Sequence, residues 1–274
     1  MVDELKISDK EFQDLAALIR KNYGIDLKEE KKSLVINRLI NFLRDNGFKS
    51  FNDYYNHVIS DFTGSGVISL VDRITTNHTF FMREKEHFEY LKKEILPWIE
   101  TASRDRDIRI WSAGCSSGEE PYTIAMVLDE YFSLKEGKWD KKILATDISQ
   151  RVLEKAKAGI YKKEETVGMP KTWMNMYFKL KKPDVVEIAP KIKNEVIYRK
   201  FNLMDKQFPF RKKFHVIFCR NVMIYFDNET KQELLRKFYE ITEDGGYLLI
   251  GHSETINNLK TGYKYLKPSI YRKG

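Results

Sequence analysis

The sequence predicts an α/β protein, a doubly wound parallel sheet preceded by a small all-helical domain and interrupted by a small inserted β-subdomain. Three observations predict it. Up to about residue 75 the apolar residues recur only at helical spacing. After residue 105 short apolar runs alternate with helical stretches. Residues 160–195 then break the alternation with Gly168, Pro170, Pro183 and Pro190. The expected organisation is a helical domain over 1–75, a linker and connecting helix over 76–105, and the sheet domain over 106–274, with the insertion at 160–195.

The elements follow in order. Ser8 and Asp9 cap a first helix in which Phe12, Leu15, Ala16, Ile19 and Tyr23 share a face, and Gly24 stops it. A second helix is expected from about Lys28 to Asn46, ended by Gly47. Two shorter ones are expected at 51–60 and 66–74, either side of Thr63-Gly64-Ser65-Gly66. In the sheet domain, strands are expected at 108–111, 143–146, 196–201, 215–219 and 247–251. Helices are expected at 119–131, at 149–159 and at 229–241, the last running out in Asp244-Gly245-Gly246. An aromatic-rich edge strand or hairpin at 263–272 closes the chain.

Composition bounds the function. With 42% hydrophobic residues and 13% aromatics among 274, the chain can build a substantial core. It has no long apolar run, so direct membrane insertion is not expected, and the first fifteen residues lack the pattern of a signal peptide. Two cysteines, Cys115 and Cys219, exclude a disulfide scaffold, and a cytoplasmic location is expected. The net charge of +8 is unevenly spread: residues 135–213 carry 21 basic and 10 acidic side chains. That points to an acidic partner at one face, or to solvated lysines that keep the chain soluble.

Ser112-Ala113-Gly114-Cys115-Ser116-Ser117-Gly118-Glu119-Glu120-Pro121 has the order strand, glycine loop, helix. Its glycines let a ligand approach the backbone ahead of a helix N-terminus. It fits neither the Walker pattern nor GxGxxG. Glu119 and Glu120 stand where a phosphate would sit, which suits a ligand bearing hydroxyls or positive charge. Asp147, at the end of the next strand, is placed to accept from ribose hydroxyls, or to cap the helix that follows. The five histidines show no metal-ligand spacing, so no metal site is expected. Phe80, Phe81, Ile224 and Phe226 suit packing, whereas Arg83, Asn221 and Tyr225 do not.

The strings TTNHTFFMRE (75–84), IWSAGCSSGEEPYTIAM (110–126), ILATDIS (143–149), FNLMD (201–205) and FCRNVMIYF (218–226) occur in this order, with GHSE at 251–254. Together they resemble the chemotaxis receptor methyltransferase (CheR) family over nearly the whole chain. The resemblance implies a methyltransferase fold that takes S-adenosylmethionine and releases S-adenosylhomocysteine. Its implied substrate is the glutamate side chains of the chemoreceptor cytoplasmic helical bundle, which become methyl esters for sensory adaptation. By motif match it places cofactor contacts on Asn77, Thr79, Arg83, Gly114, Glu119, Asp147, Asn202, Leu203, Asn221 and Val222. Arg83 and Tyr225 match the residues near the transferring methyl group. The inserted lobe departs from members that bind a receptor's C-terminal pentapeptide, because Lys179 to Pro190 is shorter and lacks glycine. Pentapeptide binding is therefore not expected.

The chemistry agrees with a site that needs no nucleophile. A glutamate with a pKa of ~4.3 is ionised at neutral pH, so methylating it asks for alignment and desolvation rather than a strong base. A nucleic-acid methyltransferase is the rival suggested by the basic segment. However, Arg220-Asn221-Val222-Met223 lacks the prolines of amino-directed enzymes, no Pro-Cys nucleophile is present, and no nucleic-acid partner is expected. A non-catalytic cofactor-sensing adaptor is the other rival, and Arg83 and Tyr225 argue against it. The chain is expected to act as a monomer. Lys28, Lys31, Lys32, Arg38 and Arg44 on the second helix are expected to dock the acidic receptor, with Lys31 and Arg38 sharing a face.

Overall fold

The computed structural model describes residues 5–75, 79–103, 105–257 and 259–274. The described residues form two bodies, those of 5–75 with 225–230, and those of 79–224 with 231–274.

In the first body α1 (Asp9–Tyr23) begins with a reciprocal cap. Ser8 Oγ accepts the Glu11 N–H, and the Glu11 carboxylate accepts the Ser8 N–H. Gly24, at φ 69°, closes it in the left-handed region that glycine favours. The second helix starts later than its sequence suggests. Glu29–Lys31 is a single 3-10 turn, and α2 is confined to Lys32–Asp45. α3 (Phe51–Ser60) and α4 (Ser65–Ile74) complete the set. Leu15, Ile19, Val35, Leu39, Leu43, Phe51, Val58 and Leu70 fill the core between them. Between α3 and α4 the Asp61 carboxylate gathers the hydroxyls of Thr63 and Ser65 and the N–H groups of Thr63 and Gly66, which holds it well below the usual carboxylate range. The late segment 225–230 joins this body, where Asp26 N–H donates to the Tyr225 carbonyl at 2.7 Å and Arg20 pairs with Asp227.

The second body opens with one helical run, α5 (Glu86–Tyr90), a π-helical segment (Leu91–Ile95) and α6 (Leu96–Ala102). Pro97, at the start of α6, has no N–H to give the preceding turn and its ring crowds that turn's carbonyls, which accounts for the wide π segment just before it. The sheet strands are β1 (Ile110–Ala113), β2 (Ile143–Asp147), β6 (Val196–Lys200), β7 (Phe214–Cys219), β8 (Thr242–Ile250), β9 (Tyr263–Lys267) and β10 (Ile270–Lys273). Their order is β6-β2-β1-β7-β8-β10-β9. The first five are parallel, and β10 and β9 form an antiparallel hairpin at the edge. β8 is longer than expected, running through Asp244-Gly245-Gly246 instead of starting after it. β1 and β7 are buried along their whole length, as interior parallel strands are.

α7 (Glu119–Phe132) and α8 (Gln150–Ala158) pack on β2 and β6, and α11 (Asn228–Ile241) connects β7 to β8. Trp111 anchors the sheet from β1. Its indole N–H donates to Thr146 Oγ1 at 2.9 Å, and its ring meets Phe201, Phe208, Phe210, Phe214 and Phe238. Between β2 and β6 the chain builds a second sheet from β3 (Ile160–Lys162), β4 (Phe178–Lys182) and β5 (Val185–Ile188), antiparallel in the order β3-β5-β4. Two short helices accompany it, α9 (Lys171–Tyr177) and α10 (Pro190–Lys193). The architecture is a doubly wound sheet with an inserted β-subdomain and a helical domain, as expected from the sequence.

Candidate functional site

The strand order reverses beside β1, with β2 on one side and β7 on the other. In open α/β sheets ligands bind outside the carboxyl ends of the strands at such a point. Gly114 follows β1, Asp147 ends β2, Asn202 and Leu203 follow β6, Asn221 and Val222 follow β7, and Gly251 to Glu254 follow β8. Backbone strain collects here. Met82, Glu84, Ser116 and Asn221 all hold positive φ without being glycine, a costly conformation that clusters at functional sites.

The glycine loop is tied down at both ends. The N–H groups of Gly114 and Cys115 donate to the Thr146 carbonyl at 2.8 and 2.9 Å, and the Asp147 carboxylate accepts the N–H of Ser116 at 2.8 Å and of Ser149 at 3.0 Å. Gly114, at φ 91°, lies so close to Val222 that a Cβ would stand 2.5 Å from its Cγ2, so the ends of β1 and β7 meet there. Ser117 Oγ lies 2.8 Å from both carboxylate oxygens of Glu119, and the Tyr161 hydroxyl donates to the Ser117 carbonyl at 2.7 Å. Burial pushes the Glu119 carboxyl above its usual range, the Ser117 hydroxyl offsetting only part of that.

On the β7 side lies an ion network that sequence reasoning missed. Arg220, its side chain 2% exposed, donates to Glu120 at 2.9 Å, to Glu84 at 3.0 and 3.2 Å, and to the Arg83 carbonyl. Glu120 in turn accepts the Ser112 hydroxyl at 2.6 Å. The other Glu84 oxygen accepts from Asn221 Nδ2 and the His252 N–H. Burial pushes Glu84 up, but Arg220 and these donors outweigh it and hold the carboxyl low. Glu254, also missed, accepts the N–H groups of Asn221, Ile224 and Gly251, and burial raises its carboxyl despite them. Glu84, His87 and His252 could converge on a metal ion. Against that, Glu84 is already spent on four donors, one of them a buried guanidinium that repels a dication. His87 is buried and held neutral, with a pKa of about 3, by burial first and Arg220 second.

The structure thus brings Gly114 against Val222, Asp147 against the Ser116 loop, and Asn221 against Glu84, next to Arg83. Thr79, Arg83, Asn202 and Leu203 are half-buried, with Asn202 Oδ1 accepting the Met204 N–H at 3.0 Å. Tyr225 lies in the first body, and Asn77 lies outside the described residues. The second helix corrects the docking face. Lys28, Lys31 and Arg44 are exposed, but Lys32 pairs with Asp9 and Arg38 donates to the Ile74 carbonyl at 2.5 Å. Because Lys31 sits in the 3-10 turn, its spacing to Arg38 is not that of one α-helix.

The donor set fits S-adenosylmethionine. Among the described residues the Ser116 hydroxyl is buried without a hydrogen-bond partner, beside the carboxylate of Asp147 that grips its own N–H. A hydroxyl and an acid at this turn suit a ligand with ribose hydroxyls and not a phosphate.

Comparison with known proteins agrees. Residues 77–271 match the model of the CheR methyltransferase SAM binding domain, and residues 10–75 match that of the CheR methyltransferase all-alpha domain. The chain is 44% identical to a chemotaxis protein methyltransferase of Borreliella burgdorferi, over 98% of this chain and 96% of that protein. It is 36% identical to the chemotaxis protein methyltransferase of Escherichia coli, over 99% and 93%. Chemotaxis protein methyltransferase 1 of Pseudomonas aeruginosa is 35% identical, over 98% and 99%. With both family models matched and these relatives similar end to end, the chain belongs to the CheR family of S-adenosylmethionine-dependent chemotaxis protein methyltransferases.

Proposed function

We propose that the chain methylates glutamate side chains on the cytoplasmic helical bundle of chemoreceptors, forming the methyl esters of sensory adaptation. It would do so in the cytoplasm, as a monomer. The observation that carries this reading is that carboxylates at the strand ends are already engaged, Glu84 and Glu120 by Arg220 and Asp147 by the N–H groups of Ser116 and Ser149. Burial raises the thiols of Cys115 and Cys219. His87, with a pKa of about 3, is too weak a base to take a proton from an amine or an alcohol. Glu84 is ionised but committed to Arg220. Such a site favours an acceptor that arrives already anionic, and a glutamate does.

S-adenosylmethionine, when bound, supplies a methyl group on a sulfonium, and its transfer to a carboxylate oxygen moves no proton. Asp147 and Glu119 are suited to its hydroxyl and amino-acid portions, with Gly114, Ser116, Asn202, Leu203, Asn221 and Val222 around them. Asn77 and Thr79 are assigned by motif. Arg83 would hold a carboxylate on its planar fork, and Tyr225 would align the acceptor. Residues 1–75 would dock the receptor, and the Gly-free stretch at 179–190 would leave pentapeptide capture out of the cycle.

The test offers tritiated S-adenosylmethionine and receptor cytoplasmic fragments to the full chain. Alkali-labile, protein-bound counts are expected. Counts that survive alkali would reject the ester.

A further inference from the structure

Arg220 has no assigned part in the reaction, yet its guanidinium meets two carboxylates and a main-chain carbonyl at the strand ends. It leaves β7 at its carboxyl end and is buried, with Phe88 5.3 Å from its guanidinium carbon. One edge of the guanidinium, through Nε and Nη2, meets Glu84; Nη1 meets Glu120 in the first turn of α7; Nη2 also holds the Arg83 carbonyl. Through Glu120 the network reaches Ser112 on β1, and through Glu84 it reaches Asn221 and the His252 N–H beyond β8. Four separate segments are thereby joined at one cation.

The segment most in need of such a hold is the turn around Arg83. Met82 and Glu84 flank Arg83 at φ 60° and 54°, a conformation that non-glycine residues abandon unless their surroundings enforce it. A buried charge is expensive unless paired, and Arg220 is paired with two carboxylates in a geometry that an apolar residue would not supply. The bonds use three separate nitrogens of a planar fork, and a lysine, with its donors on one nitrogen, does not reproduce that spread.

We infer that Arg220 is a positioning residue for methyl transfer: by gripping the Arg83 carbonyl and Glu84 it sets the Arg83 main chain against the ends of β1 and β7. The inference rests on the proposed role of Arg83 near the reacting groups. Turnover depends on it, and cofactor affinity does so much less.

The experiment compares wild type, Arg220→Gln, Arg220→Lys, Arg83→Ala and the double variant Arg83→Ala/Arg220→Gln as full-length chains. Receptor methylation gives kcat and KM, and calorimetry gives S-adenosylhomocysteine affinity. Arg220→Gln should lower kcat at least tenfold, and by a larger factor than it lowers cofactor affinity, which also draws on Arg83 and Asn221. The double variant should be no slower than Arg83→Ala alone, because a residue acting through another leaves nothing more to lose. Losses that multiply, or wild-type kcat in Arg220→Gln, would overturn the inference. If Arg220→Gln does not fold, Arg220→Lys keeps the buried charge and carries the same two criteria, with its own double variant. Wild type that fails to methylate receptor fragments at all would instead reject the substrate reading, and the two failures are distinguishable.

Discussion

Asp147 and Ser116 face each other across the ends of β2 and β1, the Asp147 carboxylate accepting the Ser116 N–H at 2.8 Å. That bond holds Ser116 at φ 47° and fixes the loop on which the cofactor would lie. Asp147→Ala removes this acceptor and the one for the Ser149 N–H. Calorimetric affinity for S-adenosylhomocysteine should fall by about 1–3 kcal/mol. Unchanged affinity in a folded variant would remove Asp147 from the binding site.

Tyr225→Phe deletes one hydroxyl and leaves the main-chain bond from Asp26 N–H to the Tyr225 carbonyl in place. If the hydroxyl aligns the acceptor, turnover drops more than cofactor affinity does. Wild-type turnover would make Tyr225 a structural residue.

The three exposed cations of the second-helix region, Lys28, Lys31 and Arg44, remain the candidates for meeting an acidic receptor. Reversing all three to Glu should raise the apparent KM for receptor at low salt, with cofactor affinity unaltered. The difference should shrink as salt is added, since the Debye length is only ~8–10 Å near physiological ionic strength. An unchanged low-salt KM would move the docking face elsewhere.

Acid should destabilise the second body through its buried histidines. His87 is held to a pKa of about 3 and His215 to about 4, both mainly by burial, against 6.5 for the free side chain. Below pH 6.5 the unfolded chain takes up protons that the folded chain refuses, so stability falls as the pH drops from there towards 4. Each histidine contributes a slope approaching about 1.4 kcal/mol per pH unit. Urea midpoints measured between pH 7 and 4.5 should show this, and His87→Phe should flatten the curve. An equally steep curve in that variant would count against His87 as a source.

Gly118 stands at φ 98° at the start of α7, where a Cβ would lie 2.8 Å from the Tyr198 hydroxyl and 2.9 Å from the Ala156 Cβ. Gly118→Ala should therefore cost at least ~1–3 kcal/mol of stability from overpacking alone, with the positive φ adding to it. Chemical denaturation reads this directly. A wild-type midpoint would mean that Tyr198 and α8 give way freely.

Much of this was legible in the chain because the signals are local. Ser8 with Glu11, Ser149 ahead of α8 and Gly159 after it are caps written within a few residues. The Gly114 to Pro121 loop likewise announced a strand-to-helix turn. Other features had no local signature. Arg220 and Glu84 are 136 residues apart, and Asn221 and Glu254 are 33 apart, so neither pairing is visible before the strands are side by side. Arg38 follows α-helical spacing like any surface arginine, and only the packed α4 supplies the carbonyl it bonds. The late start of α2 has no sharp local signature: Glu29, Glu30 and Lys31 form a 3-10 turn whose N-cap, Lys28, makes no side-chain cap bond, and α2 begins at Lys32.

The Tyr161 hydroxyl on the Ser117 carbonyl gives the inserted lobe a second significance. Tyr161 belongs to β3, and its ring also meets Phe81, which in turn meets Phe178 of β4. The lobe is thus no interchangeable attachment. Exchanging 160–195 for the corresponding piece of a relative would replace the donor that the Ser117 carbonyl of the glycine loop accepts from. A donor lobe lacking a phenol at this place would strand a carbonyl next to Gly118 and loosen the turn that presents Glu119. Modular engineering of recognition here has a junction to respect, and it is a single oxygen.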